Sequence, residues 1–285
     1  MAETAQLYIC GTPIGNLKDI TLRTLEILKK VDLIAAEDTR RTAKLLNKYD
    51  ISTPLTSYHE HNEKQKSKEL LVKMNQGKVI ALVSDAGMPG ISDPGSILIN
   101  QAIKHNIKIS PVPGPTALIS ALVVSGLSVD RFVFQGFIPR SGKERKTRLK
   151  EIKKSEITTV FYESPHRLKK TLEDLNEILQ ERRISILREL TKIHEEKIYG
   201  KVNEVLEKLS DKEIKGEIVI AVAGREKIET EKEGWEDLNI VEHVKLLMDN
   251  GYTKKEAVKK VAKERELPKR EVYKEAVVID AKINK

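Results

Sequence analysis

Short apolar runs alternate with stretches of helical period along the first half of the chain. Leu7-Tyr8-Ile9-Cys10 reads as a buried strand, followed by a loop over residues 11–16 and a helix with Leu22, Leu25, Leu28 and Val31 on one face. Asp32 to Ala36 is a second strand ending at Glu37-Asp38, and a helix follows around Thr39 to Lys48. Val79 to Val83 and Lys108 to Val112 are further strands, and Ala117 to Val124 is an apolar helix. Continuous apolar strands alternating with helices predict a parallel sheet covered on both faces.

Residues 126–154 mix Gly, Pro, aromatic and basic positions and read as a domain junction. A second α/β unit follows, with strands at Thr158 to Tyr162, Ile184 to Leu187, Lys197 to Tyr199 and Glu217 to Val222. Ser164 and Pro165 suit the N-cap and first turn of a helix that aligns Leu168, Leu172, Leu175 and Leu179. A shorter helix carries Val202, Val205, Leu206 and Leu209. The polar stretch 225–239 reads as a linker. Beyond it, Gly251 ends one short helix, Thr253-Lys254-Lys255-Glu256 is a capping box opening a second, and Pro268 opens a third, a pattern like a helix-turn-helix module. The expected organisation is two α/β domains, 1–126 and 127–225, and a small helical extension, 240–285.

Composition narrows this picture. The 285 residues are 39% hydrophobic and 33% charged, which fits a globular protein with a polar surface. No apolar run reaches the roughly 20 residues of a membrane span, and the polar start of the chain shows no export signal. The single cysteine, Cys10, excludes an internal disulfide and suits a reducing compartment, so a cytoplasmic protein is expected. The net charge of +8 is uneven: Pro139 to Lys154 carries a net +6 and Ile240 to Lys285 a net +4. Such clusters attract a polyanion. Arg140, Lys143, Arg145, Lys146 and Arg148 in the first, with Lys254, Lys255, Lys269 and Arg270 in the second, are the candidate RNA contacts. The first cluster lacks interleaved aromatics, so it suits phosphates rather than bases.

The candidate chemistry lies where strands end. In an open parallel sheet, ligands bind beyond the carboxyl ends of the strands. Five loops rich in Gly, Pro or carboxylates fall there: 11–16, 37–41, 85–95, 111–116 and 162–167. A dinucleotide site is excluded at the first. The G-x-G-x-x-G fingerprint is absent, Pro13 has no N–H to offer a pyrophosphate, and residues 16–20 separate the loop from its helix. The ligand expected is one without a phosphate group.

The motifs together resemble the tetrapyrrole methylase superfamily, the class III methyltransferases. They are Thr-Pro-Ile-Gly-Asn at 12–16, Ala-Glu-Asp-Thr-Arg at 36–40, Ser-Asp-Ala-Gly at 84–87, Ile-Ser-Asp-Pro-Gly at 91–95, Pro-Val-Pro-Gly-Pro at 111–115, Tyr-Glu-Ser-Pro-His-Arg at 162–167 and Arg-Glu-Leu-Thr-Lys at 188–192. The resemblance, to the branch that acts on ribosomal RNA, implies two α/β domains with S-adenosylmethionine between them. It implies a homodimer and 2′-O-methylation of a cytidine in 16S rRNA of the small ribosomal subunit, near the decoding centre. By position, the donor-binding residues would be Thr12, Pro13, Asp85, Gly87, Met88, Thr116, Ala117, Tyr162 and Glu163. Met88 departs from the usual Thr, so only a backbone contact there would survive.

Candidate proton acceptors on the rim are Glu37, Glu163, His166 and Lys192, with Asp38 beside them; a lysine would serve only with a lowered pKa. His59 and His61 would share a strand face, but no third ligand accompanies them and no metal is expected. Two other readings remain: methylation of a carbon of a tetrapyrrole or corrin precursor, and a non-catalytic ribosome-binding factor. The basic junction and tail argue against the first, since a small substrate needs neither.

Overall fold

A computed structural model describes residues 5–210, 212–225, 235 and 238–277. The chain divides into two compact units, Met1–Arg225 and Glu226–Lys285.

The first unit opens with β1 (Leu7–Cys10), a 3-10 turn at Leu17–Asp19, α1 (Leu22–Lys30), β2 (Leu33–Ala36), α2 (Thr39–Lys48), β3 (Leu55–Ser57), α3 (Glu63–Asn75), β4 (Ile80–Val83), α4 (Ser96–Lys104), β5 (Ile109–Val112) and α5 (Ala117–Val124). Its sheet has the order β3-β2-β4-β1-β5 with every pairing parallel. Side-chain alternation divides the core in two. Leu7, Ile9, Ala35, Ile80 and Leu82 pack with α3 and α4, while Cys10, Ile34, Ala36, Ala81 and Val83 pack with α1 and α2. A sheet buried on both faces needs apolar residues at every position, which explains the unbroken runs. Burial pushes the Cys10 thiol up to about 12, so it is an inert core residue.

The second sheet follows: β6 (Phe132–Phe137), α6 (Gly142–Lys154), β7 (Thr158–Glu163), α7 (Pro165–Leu179), β8 (Arg183–Arg188), β9 (Glu196–Lys201), α8 (Val202–Leu209) and β10 (Ile218–Val222). Its order is β6-β7-β10-β8-β9; β6 and β7 are parallel and the other pairs antiparallel. Ile218, Ile220 and Val222 face α6, α7 and α8, whereas Val219 and Ala221 face α5 and Ile14. Thus α5, inside the segment expected to form the first domain, packs on the second sheet.

Five elements are absent from the sequence reading: β3, α3, α4, β6 and α6. The expectation left 49–78 without elements, yet it holds β3 and α3; α3 buries only Ser67, Leu70, Leu71 and Met74, a face too narrow to show in the pattern. The expected junction holds β6 and α6. A register shift between Phe134 and Phe137 masks the strand alternation, and α6 buries an arginine where an apolar residue would have signalled a helix.

The second unit contains α9 (Ile240–Asp249), α10 (Lys254–Glu264) and α11 (Lys269–Ala276) around a core of Val244, Leu247, Val258, Val261 and Val272. Thr253 caps α10 in a capping box with Glu256, as its sequence requires. His243, fully buried, stacks on Trp235 at 4.5 Å, and the Arg265 guanidinium donates to His243 Nδ1 at 3.2 Å. Most of the expected linker and residues 278–285 of the expected tail lie outside the described residues.

Candidate active site

Because the first sheet is wholly parallel, the loops after β1, β2, β4 and β5 leave from one edge. Two devices hold them together. Thr12 and Gly87 exchange both backbone hydrogen bonds, at 2.9 and 3.0 Å, and the Thr12 hydroxyl donates to the Ser84 carbonyl at 3.0 Å. Gly11 and Gly114 meet backbone to backbone: a Cβ on Gly11 would lie 2.8 Å from Gly114 Cα and 2.8 Å from Met88 Sδ. The two glycines let the β1 and β5 loops close to a distance that any side chain would prevent. Thr12 and Gly87 therefore use their backbone groups on each other, and the partly buried Met88 packs its side chain against the core beneath the Gly11 backbone. Pro13 is buried beside them. Thr116 caps α5 by accepting from the Ile119 amide at 3.3 Å, with Ala117 packed behind it.

Three carboxylates gather at this edge. Asp85 Oδ1 accepts from the Asp38 amide at 2.9 Å, its other oxygen is 3.3 Å from Arg41, and its own amide donates to Glu37 Oε2 at 3.3 Å. Burial pushes the Glu37 carboxyl above its ordinary range against the pull of the Asp85 amide, and the neighbouring Asp93 and Asp85 add to the rise. Asp93 is raised too, by burial first, with the Ser84 hydroxyl opposing and Asp85 and Glu217 contributing. Asp38 is the opposite case: Arg40 bonds it at 2.8 Å and holds it well below the carboxylate range. Asp93 was missed because Asp-Pro-Gly in a sequence is an ordinary turn signal.

The second sheet contributes through two segments. On β7, alternation sends adjacent side chains to opposite faces. Tyr162 faces α5, with Phe134 and Phe137 against its ring at 5.0 and 5.4 Å. Its hydroxyl is raised by burial, and nearby Asp93 reinforces this. Glu163 faces the other way. Its side chain is 0% exposed, accepts from Thr171 Oγ1 at 2.6 Å and from the Ser164 amide at 2.8 Å, and pairs with Arg167 at 3.2 Å. The expectation that the Glu163 carboxylate acts as base or donor ligand is thereby corrected, because its oxygens are bound and turned from the crevice. His166 is exposed in the first turn of α7.

The loop between β8 and β9 clasps the β1 loop. Asn16 donates its amide to Thr191 Oγ1 at 3.1 Å, and a Cβ on Gly15 would lie 2.5 Å from Lys192 Cγ. Glu189 and Thr191 adopt φ of 51° and 67°, a left-handed turn that costs non-glycine residues energy. Sequence carries no signal for this, since a β-branched Thr is a poor candidate for such a turn. Lys192 lies between Glu189 at 2.9 Å and Glu217 at 3.3 Å. Burial works to lower its pKa, but the two carboxylates outweigh it and the net shift is upward. Lys192 is therefore a charged strut and not the base expected among the alternatives.

The basic cluster resolves into one helix with two faces. Lys143, Lys146, Lys150 and Lys153 are exposed along α6 at helical spacing, with exposed Arg140 just before it, while Arg148 pairs with Glu151 at 3.2 Å. Arg145 is corrected. It is 7% exposed, pairs with Asp174 at 2.6 Å, and donates to Thr171 Oγ1 and the Pro139 carbonyl, so it holds α6 to α7 and is closed to RNA. In the second unit, Lys254 and Lys255 occupy the first turn of α10, and Lys269 and Arg270 the first turn of α11. His59 and His61 lie in the turn before α3, not on a strand; among the described residues no group of three or more His, Cys, Asp or Glu could hold a metal.

Comparisons with known proteins agree with this architecture. Residues 6–206 match the family described as Tetrapyrrole (Corrin/Porphyrin) Methylases. A ribosomal RNA small subunit methyltransferase I from Halalkalibacterium halodurans is 50% identical over 272 residues, 95% of this chain and 94% of that protein. One of the same name from Thermotoga maritima is 51% identical over 221 residues, 78% of this chain and 99% of that protein. Among solved structures, a cobalt precorrin-4 methyltransferase shares the fold with a TM-score of 0.60 at 17% identity, covering 76% of this chain and 94% of that one. A uroporphyrin-III C-methyltransferase from Thermus thermophilus, complexed with S-adenyl homocysteine, does so at 0.55 and 16%, covering 76% and 97%. The chain belongs to the tetrapyrrole methylase family and, within it, to the group of ribosomal RNA small subunit methyltransferase I proteins.

Proposed function

We propose that the chain transfers a methyl group from S-adenosylmethionine to the 2′-hydroxyl of a cytidine in 16S rRNA, at the decoding centre of the small subunit. The observation that carries the reading is the loop edge of the first sheet, where loops drawn together by the Gly11–Gly114 contact carry the neighbouring carboxylates Glu37, Asp85 and Asp93. A phosphate would be repelled by three carboxylates, whereas a cationic sulfonium is favoured. Thr12, Pro13, Gly87, Met88, Thr116 and Ala117 shape that wall, and Tyr162 closes it from the second sheet. Bound there, S-adenosylmethionine would supply an electrophilic methyl group.

The residues of the chain then orient and deprotonate. Arg41 and the Asp38 amide fix the Asp85 carboxylate, which can hold a ribose or the sulfonium charge. Glu37, half-buried with a raised pKa, is the proton acceptor for the attacking hydroxyl. Arg140 and the outer lysines of α6, including Lys143 and Lys146, hold RNA phosphates, as do Lys254, Lys255, Lys269 and Arg270 of the second unit. The protein works in the cytoplasm as a homodimer: Ile119 and Val123 on α5, with Phe132, Val133 and Phe137 on the edge strand β6, are exposed apolar side chains that a second copy would cover. Among the described residues no helix is long and apolar enough to cross a membrane.

The test is transfer of labelled methyl to isolated small subunits, with the product mapped to sugar or base. Label on a cytidine ribose supports the reading. Label on a base, label only on a tetrapyrrole precursor, or no binding of S-adenosylmethionine overturns it.

A further inference from the structure

Helix α11 buries Val272 and Ala276 and exposes Lys269, Arg270, Tyr273 and Lys274. At about 100° per residue, Arg270, Tyr273 and Lys274 share one arc and Glu271 and Glu275 fall on the next. The sign of charge is thus segregated around a single aromatic ring. That ring is 55% exposed, and among the described residues no ring or cation covers it. The unit's other aromatics are engaged internally: Trp235 stacks on His243 and lies 5.2 Å from the Arg265 guanidinium carbon, and the Lys260 ammonium lies 4.7 Å from the Tyr252 ring centre.

Two further observations separate this face from a solubilising one. Cations in the first turn of a helix oppose its dipole, yet Lys269 and Arg270 both sit there, a placement that does nothing for stability. The family match covers residues 6–206 and ends before the second unit begins, and the Thermotoga maritima relative is matched over 99% of its length by only 221 residues of this chain. The unit therefore lies outside the region that matches the methylase family.

We propose that the second unit is a grip for single-stranded RNA, in which Tyr273 stacks on an unpaired base while Lys269, Arg270 and Lys274 hold the flanking phosphates. The inference rests on the reading above that the substrate is RNA. A basic face without an aromatic grips phosphates on any duplex; an exposed ring among cations suits a strand whose bases are free to stack. Its contribution is to affinity: it lowers the KM for the RNA substrate and leaves kcat unchanged.

The test uses the full chain and fluorescence anisotropy with a labelled 12-nucleotide RNA of mixed sequence, alone and annealed to its complement. Y273A is expected to weaken single-strand binding about 5- to 150-fold, with the salt dependence and duplex binding unchanged. Y273F binds as wild type, and Y273L, which keeps apolar bulk without a π-face, binds as weakly as Y273A. Replacing Lys269, Arg270 and Lys274 together by Gln flattens the log–log salt slope by about 2. Single-strand binding at the wild-type level by Y273A or Y273L overturns the proposal, as does an equal loss on the duplex. The two readings fail separately. A wild-type chain that methylates small subunits, with variants that bind RNA as it does, sinks only this inference; a wild-type chain that transfers no methyl to them sinks the reading beneath it.

Discussion

Replacing Gly114 by Ala tests whether the crevice depends on backbone contact between the β1 and β5 loops. A Cβ at this position would lie 2.9 Å from Gly11 Cα and 3.0 Å from Gly11 C and O. Ordinary carbon contacts begin at about 3.5 Å, so the loops must part by about 0.6 Å. The obstructing atoms are backbone, and the Gly11 amide is bonded to the Val112 carbonyl at 3.1 Å, so no rotamer change relieves the clash. Neither glycine has a left-handed φ, so the effect is steric alone. Overpacking of this kind costs about 1–3 kcal/mol. In a folded unit of this size each kcal/mol lowers Tm by about 2–4 °C, giving a fall of about 2–12 °C by calorimetry. A displacement of half an ångström in the donor wall is expected to slow methyl transfer about tenfold beyond any loss of folded protein. A variant with the wild-type Tm and wild-type affinity for S-adenosylmethionine by titration calorimetry would refute the idea that these glycines shape the crevice.

Other outcomes follow from the same geometry. Arg145→Ala removes the buried half of this pair and leaves the partly buried Asp174 only Lys170 at 3.0 Å, so a loss of about 3 kcal/mol in denaturant unfolding is expected, with salt dependence of RNA binding unchanged. Changing Lys143, Lys146, Lys150 and Lys153 together to Gln should do the reverse, keeping stability and flattening the salt slope by about 3. Because the Glu37 carboxyl is raised, the folded state binds its proton more tightly than the unfolded chain does. Stability therefore falls as pH rises from the ordinary value of 4.5 through the folded value, and Glu37→Gln should raise Tm above that window while removing the acid limb of the rate profile. The raised pKa of Lys192 has the opposite consequence: its contribution is present below its ordinary value of 10.5 and is lost as pH climbs through the higher folded one, so Lys192→Met should lower Tm at neutral pH but not in strong alkali. Exchanging Ile119 and Val123 for Asp should yield a monomer by sedimentation, and an unchanged mass would move the partner contact elsewhere.

Local pattern was enough to place β1, β2, β4, β5 and α2, because a strand buried on both faces and a helix with one apolar stripe each leave an unbroken periodic trace. It also placed four glycine- and carboxylate-rich loops at one edge, since parallel strands joined by helices all end on the same side. Periodicity could not supply α6, whose buried anchor is a charged residue answered by Asp174 from another helix. Nor could it separate Tyr162 from Glu163. The two are neighbours in one motif, and only the register of β7 sends the ring toward the crevice and the carboxylate toward Thr171. Lys192 was a candidate base until Glu189 and Glu217 were brought beside it, and Asp93 was a turn residue until burial raised its pKa. Spacing along the chain thus determined the strands of the first sheet's centre and the rim they share. The roles of individual ionisable groups were decided by the neighbours that folding brought to them, because a charge is set by what surrounds it in space.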